Sequence, residues 1–255
     1  MSKNVVFMTA VKVEEFPWRS VPYKYGIASW KRWCEINNCE LVVLDEMLHP
    51  NEVMRINYHR YYAFDILDNS GIDYDQILIT DVDAIIHPDC PNFFNLTDKK
   101  YTVTHSDGSY DWVCRSLENY SKHVFGGKTF PLWKYFNAGF QVVNKSHRQL
   151  WNDLIKFYFD NQELIKNMQE TYKVGTDQPI VNFMVNLSGI DMKILPYQYC
   201  MVDMVRKEIL DEDMTFVKVM PGIYEFNAIP DNHDASKTMY WMKKTYEYLY
   251  GELNE

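Results

Sequence analysis

At 255 residues the chain is long enough for one sizeable α/β domain or two small ones. Its composition is that of an ordinary globular protein, and a formal charge of −9 argues against a polyanionic partner such as DNA, though not against a phosphate-bearing ligand held locally by a metal. Five cysteines without a C-x-x-C pair give no zinc knuckle or disulfide scaffold; with no membrane-length apolar stretch and no signal-peptide architecture in MSKNVVFMTA, a reducing, cytoplasmic location is expected.

Asn4 to Thr9 (NVVFMT) reads as a first buried strand. Val11 to Pro22 has no helical periodicity and contains two prolines, so it is expected to be a loop. Trp18 and Arg19 in it, with Lys24 just beyond, suit a base, a phosphate or a sugar. Tyr23 to Asn37 spaces Tyr23, Ile27, Trp30 and Cys34 at helical intervals, and Glu40 to Leu44 (ELVVL) is a second strand. This is the β-α-β opening of a parallel nucleotide-binding sheet. Val53 to Leu67, carrying Arg55 and Arg60, is expected to be the next helix, broken by Asn69-Ser70-Gly71.

Gln76 to Thr80 then forms a third apolar, β-branched run, flanked by Asp73-Tyr74-Asp75 and His87-Pro88-Asp89. It ends on Asp81-Val82-Asp83. A strand in this position delivers two carboxylates to the carboxyl end of a sheet, where open α/β sheets bind ligands. Two clustered carboxylates repel each other unless a cation lies beside them. A hard divalent ion with oxygen ligands meets that need, and such ions commonly bring phosphates.

Beyond Pro88, Tyr101 to His105 is an alternating strand and Tyr110 to Val124 a helix. Tyr135 to Asn144 (YFNAGFQVVN) is a strand interrupted by small residues. Such an interruption marks the close approach of a ligand or backbone, or a bulge at Gly139. Ser146 is expected to cap a helix reaching about Phe159, with a second from about Glu163 to Tyr172. Gly175-Thr176-Asp177-Gln178-Pro179 starts another helix through Val185. Short strands are expected at Met192 to Leu195 and Phe216 to Val219, and an amphipathic, aromatic helix from Ser236 to Leu249. Neither a repeat nor a low-complexity linker occurs, so one domain with two lobes is expected, about residues 1–88 and 89–255.

Three readings of Asp81-Val82-Asp83 compete. It is a solvated acidic turn, the nucleophile motif of a haloacid-dehalogenase-type phosphohydrolase, or the D-x-D of a GT-A glycosyltransferase. With DQILITDVDAII, YFNAGFQVVN, TDQPIVN and the late His233 taken together, the chain resembles GT-A glycosyltransferases, most closely the retaining family-8-like enzymes. The likeness lies in motif order and covers roughly residues 4 to 240.

The resemblance implies an α/β GT-A fold with a Rossmann-like nucleotide-binding half. It implies a metal-dependent transferase moving a sugar from a nucleotide-sugar donor, by family weight UDP-hexose, to a hydroxyl of a glycan or similar acceptor. In those enzymes the arginine before the D-x-D strand lies near the donor diphosphate, which maps to Arg60. The F-N-A-G element borders the donor sugar, which maps to Asn137, Ala138 and Gly139. Asp177 and Gln178 match the pair that touches the transferred sugar, and are the catalytic candidates. Asp81, Asp83 and His233 would hold Mn²⁺ or Mg²⁺, and Lys237 would meet the diphosphate. Thr9 and Val82 complete the donor-binding set. The tail NHDASKTMYW departs from the family's H-x-x-G, and Asp234 beside His233 would orient the imidazole or be the ligand itself. Asp177 could also act as the base of an inverting enzyme, so stereochemistry stays open. A sugar-nucleotide-binding protein without turnover is the remaining alternative.

Overall fold

The computed structural model describes residues 3–106, 108–202, 204, 213–227 and 236–253. The chain opens as β1 (Lys3–Thr9), α1 (Tyr23–Asn37) and β2 (Glu40–Leu44), then α2 (Ala63–Asn69) and β3 (Tyr74–Asp81). β4 (Ala84–Ile86), β5 (Tyr101–His105), α3 (Tyr110–His123) and β6 (Phe136–Val143) follow. Three helices come next, α4 (Arg148–Asp160), α5 (Gln162–Tyr172) and α6 (Asp177–Ser188), before β7 (Met192–Leu195). α7 (Thr215–Val219), β8 (Ile223–Glu225) and α8 (Ser236–Tyr250) end the described chain.

Six strands form one sheet in the order β2-β1-β3-β6-β5-β7. β1 pairs in parallel with both β2 and β3, as a β-α-β-α-β half requires. β6 alone runs backwards, antiparallel to β3 and β5, and β7 is parallel to β5. The β3 run is therefore central, as its unbroken apolar character demands, because both its faces are covered. Ile77 and Ile79 face one core with Val5, Phe7, Trp151 and Phe183. Leu78 faces the other, with Val6, Met8, Trp30, Trp33 and Phe140. Among the described residues no helix is long and apolar enough to cross a membrane.

Helix α1 lies across the turn that follows β3. Its Ser29 hydroxyl donates to Gly26 O and accepts from Ile86 N, and the Trp33 indole donates to Cys90 O at 3.0 Å. Gly26 makes the fit possible, since a Cβ there would lie 2.0 Å from Val82 O and 3.2 Å from Ala84 O.

Three expectations are corrected. The helix expected over 53–67 is a 3₁₀ segment, Ile56–Tyr62, and becomes α-helical only in α2. Tyr58, His59, Arg60 and Tyr61 are all buried, and four consecutive buried residues do not fit one face of an α-helix. Phe216 to Val219 lies in helix α7, not a strand; Val217 is buried while Val219 is exposed. The strand this region supplies is β8, which pairs antiparallel with β4 in a separate two-stranded sheet. Neither of those strands stood out in the sequence, being only three residues each. Ser146 does not cap α4 directly. Asn144 makes a capping box with His147 around a 3₁₀ turn, Lys145–His147, that leads into it.

The α1 contact yields a stability prediction. Gly26→Ala should cost about 1–3 kcal/mol, the usual penalty for overpacking a filled site. It should also displace the 81–83 turn, so urea denaturation will show a lower midpoint. An unchanged midpoint would mean that α1 is not fixed against this turn.

Candidate active site

The carboxyl ends of β1 and β3 are level, with Thr9 opposite Asp81. β6 runs alongside in the opposite sense, pairing Phe140 with Thr80 and setting Gly139 beside Asp81. A Cβ at Gly139 would lie 2.5 Å from Asp81 Oδ2 and 3.1 Å from Glu225 Oε2, so the small residue makes room for both carboxylates. β8 delivers Glu225 through its pairing with Ala84 and through Phe226 N donating to Asp83 O at 2.8 Å. Oxygens of Asp81, Asp83 and Glu225 lie within 4.8 Å of one another.

One cation is fixed among them. Arg60 is buried and donates from Nη2 to Asp81 Oδ1 (2.7 Å), from Nη1 to Ala138 O (2.9 Å) and from Nε to Asn57 O (2.9 Å). Its Nε is also 3.7 Å from Asp177 Oδ2. Burial disfavours the charged guanidinium, but Asp81 and then Asp177 outweigh it and hold the group above its ordinary value. Asp177 is the first residue of α6 and is buried. Its Oδ2 accepts from Tyr61 OH at 3.1 Å and its Oδ1 from Thr176 Oγ1 at 3.1 Å. Gln178 Oε1 accepts from Ala138 N at 3.0 Å.

A single arginine does not neutralise the cluster. Burial, then the charge of Asp81, pushes the Asp83 carboxyl up to about 7, with Arg60 opposing. Burial, then Asp81 and Asp83, pushes Glu225 well above the ordinary carboxyl range. Asn137 Nδ2 and the Cys200 thiol donate to Glu225 Oε2, at 3.0 and 3.1 Å, and oppose that rise. Three carboxylates with room between them form a hard, all-oxygen donor set, which suits Mg²⁺ or Mn²⁺ and relieves their repulsion.

The cluster stands where two cavities join. The first, about 350 Å³, is bounded by Thr9, Val11, Arg19, Tyr23, Val82 and Asp83. The second, about 510 Å³, is bounded by Trp112, Asn137, Ala138, Gly139, Asp177 and Gln178. Asn57, Arg60, Asp81, Glu225 and Asn227 line both.

The structure thus gathers Thr9, Arg60, Asp81, Val82, Asp83, Asn137, Ala138, Gly139, Asp177 and Gln178 around one continuous space. Lys237 is exposed in the first turn of α8, next to Thr238, which lines the first cavity. His233 and Asp234 lie outside the described residues. Glu225 was not found from sequence. Its only signal is a single acid inside the apolar string IYEF, and an isolated acid at the end of a three-residue strand carries no spacing to read.

The sequence matches no family model and no curated protein. Among solved structures it is similar to a glycosyltransferase involved in the glycosylation of the major capsid of PBCV-1, with a TM-score of 0.61 at 11% identity. The match covers 94% of this chain and 98% of that one. A second match, to the apo form of mouse xyloside xylosyltransferase 1, has a TM-score of 0.48 at 12% identity, covering 88% and 97%. The chain therefore has the mixed α/β, GT-A-like fold expected from its motif order.

A pH dependence follows from the raised carboxyls. Their folded-state values exceed those of an unfolded chain, about 4. The stability they contribute is therefore full below about pH 4 and is lost as pH rises through about 7. In EDTA the Tm should fall across that window, and Asp83→Asn, which removes the charge at constant shape, should flatten the fall. Identical profiles for the two proteins would show that the Asp83 charge is not strained.

Proposed function

We propose that the protein is a metal-dependent glycosyltransferase that moves a sugar from a nucleotide-sugar donor to a hydroxyl acceptor. The observation that carries this reading is the junction of two cavities at Arg60, Asp81 and Glu225, with Asp83 on the side of the first, beyond the carboxyl ends of β1 and β3. A phosphomonoesterase needs one chamber for one phosphate. A transferase has two substrates to bring together, and two joined chambers suit it.

The nucleotide belongs in the first cavity, with Tyr23 and Val11 beside the base and Arg19 and Lys237 on the phosphate side. The diphosphate then falls at the carboxylate cluster, where Asp81, Asp83 and Glu225 would hold Mn²⁺ or Mg²⁺. A bound divalent ion supplies Lewis-acid neutralisation of the charge that develops on the leaving diphosphate. His233 remains a further proposed ligand.

Arg60 turns its fixed positive charge toward the same place, an electrostatic arrangement that needs no rearrangement during the reaction. The donor sugar, by weight of resemblance a hexose of UDP, occupies the start of the second cavity against Asn137, Ala138 and Gly139. Breaking its anomeric bond gives an oxocarbenium-like state, which a nearby carboxylate or amide oxygen stabilises. Asp177 and Gln178 supply these. Asp177 is already engaged by Arg60, Tyr61 and Thr176. Such a carboxylate suits charge stabilisation better than proton abstraction, and this favours retention over inversion.

The test is a panel of sugar nucleotides with Mn²⁺ and no acceptor. Slow release of nucleoside diphosphate from one donor, abolished by excess EDTA, is the expected result. Phosphate release from simple phosphomonoesters would instead favour the phosphohydrolase, and a thermal shift without product a binding protein. Replacing a ligand or its support typically costs about 10–100-fold in metal affinity or activity. Glu225→Gln should therefore weaken Mn²⁺ by that factor in a calorimetric titration. A matching loss in His233→Ala would make it a fourth protein ligand, and no change in Glu225→Gln would remove Glu225 from the site.

A further inference from the structure

We infer that the second cavity receives a neutral pyranose ring of the acceptor, laid against the indole of Trp112. The inference rests on the glycosyl-transfer reading above and adds to it the chemical class of the acceptor. One wall of the cavity carries Asn137 to Gly139, Asp177 and Gln178. The connection between β5 and α3 and the first two turns of α3 also line the cavity, with Ser106, Ser109, Trp112 and Arg115.

Trp112 is half-buried and its ring is set by two neighbours. Tyr135 meets it edge-on, with centroids 6.5 Å apart and planes at 88°. Gly175 packs against its six-membered ring, where a Cβ would be 2.4 Å from Cζ2 and 2.6 Å from Cη2. Any side chain at position 175 would drive the indole away. The ring is therefore held in place while part of it stays open to the cavity. A preformed flat apolar surface in one cavity with amides and hydroxyls matches a pyranose, which has a C–H face and a hydroxyl edge.

The charges in the cavity argue for neutrality. Arg115 is paired with Asp111 and donates to Lys173 O. Arg60 is paired with Asp81, and Asp177 is engaged by Arg60, Tyr61 and Thr176. Among the described residues that line the cavity away from the carboxylate cluster, the one cation, Arg115, is already paired, which disfavours an acidic sugar or a nucleic-acid phosphate, and the chain's net charge is −9. In the transfer itself, an acceptor hydroxyl oxygen bonds to the anomeric carbon of the donor. The bond from that carbon to the diphosphate breaks, its electron pair leaves on the diphosphate, and the departing diphosphate takes the hydroxyl proton.

The test uses the full chain with Mn²⁺, the donor that it hydrolyses and a panel of neutral methyl pyranosides as probes. At least one glycoside should accelerate nucleoside diphosphate release saturably and appear in a product by mass spectrometry. Trp112→Ala should then raise the KM for that glycoside tenfold or more while the donor KM moves less than twofold. Trp112→Phe should recover most of the loss, and Gly175→Ala should act like Trp112→Ala by displacing the ring. A structural role alone would move both KM values together and gain nothing from phenylalanine, which overturns the inference. If donor is hydrolysed but no neutral glycoside serves, or only an acidic sugar or an oligonucleotide does, the acceptor class is wrong and the glycosyl-transfer reading stands. If no donor is hydrolysed, that reading fails and the inference with it.

Discussion

The site is built around one buried guanidinium. Arg60 joins four separate parts of the chain: the 3₁₀ segment through Asn57 O, β6 through Ala138 O, β3 through Asp81 and α6 through Asp177. A buried ion pair is not in itself a source of stability, because desolvating two charges costs about what their attraction returns. Its value here is geometric. A guanidinium offers five donors in a rigid plane, and three of its nitrogens are each committed to a different element. A lysine in its place would offer one rotating point charge and would fix none of these relations. The departure of Ile56–Tyr62 from α-helix has the same origin. The segment winds so that Arg60 and Tyr61 both reach Asp177, while Tyr58 packs against Tyr158 with ring centroids 4.1 Å apart.

The third carboxylate depends on a different piece of architecture. β4 and β8 belong to a small sheet apart from the main one, and Glu225 reaches the cluster only because β4 continues directly from the D-x-D turn. Helix α1 presses on that turn at Gly26, so the packing of the first helix sets the height of Asp83 and, through β4, of Glu225. Asn137 closes the loop. Its side chain donates to Glu225 and accepts from Gly139 N at 2.7 Å, linking β6 to β8 across the carboxylates. The glycine at 139 is thus tied to two facts, the close approach of Asp81 and the close approach of Glu225.

Much of this was legible in the sequence, and the boundary follows a physical line. β1 and β3 were readable because burial on both faces gives continuous apolar runs, β5 because its residues alternate, and α1 and α3 because one buried face gives a 3.6-residue period. Asp81 and Asp83 were readable because they end such a run. Glu225 was not, since a three-residue strand has no period and its pairing with β4 is settled by tertiary contacts. Phe216 to Val219 was misread for the same reason: in five residues the helical and extended patterns share their apolar positions. The 3₁₀ winding around Arg60 could not be foreseen either, because its cause lies 78 and 117 residues further along, at Ala138 and Asp177.

The charge inventory then constrains how the site works under the proposed reading. Asp81, Asp83, Glu225 and Asp177 outnumber Arg60, in a protein whose overall charge is already −9. A diphosphate approaching this cluster alone would meet repulsion at short range, where little water intervenes to screen it. A divalent cation reverses that sign locally, and the ion's own charge governs what binds beside it. By thermodynamic linkage the effect is reciprocal: whatever factor the cation adds to donor affinity, the donor adds to cation affinity. Under the proposed reading, the carboxylates that repel one another are the same groups that would make cation and donor bind as a pair. On that reading, the raised carboxyls of Asp83 and Glu225 would be the counterpart of a site that admits phosphates together with the metal.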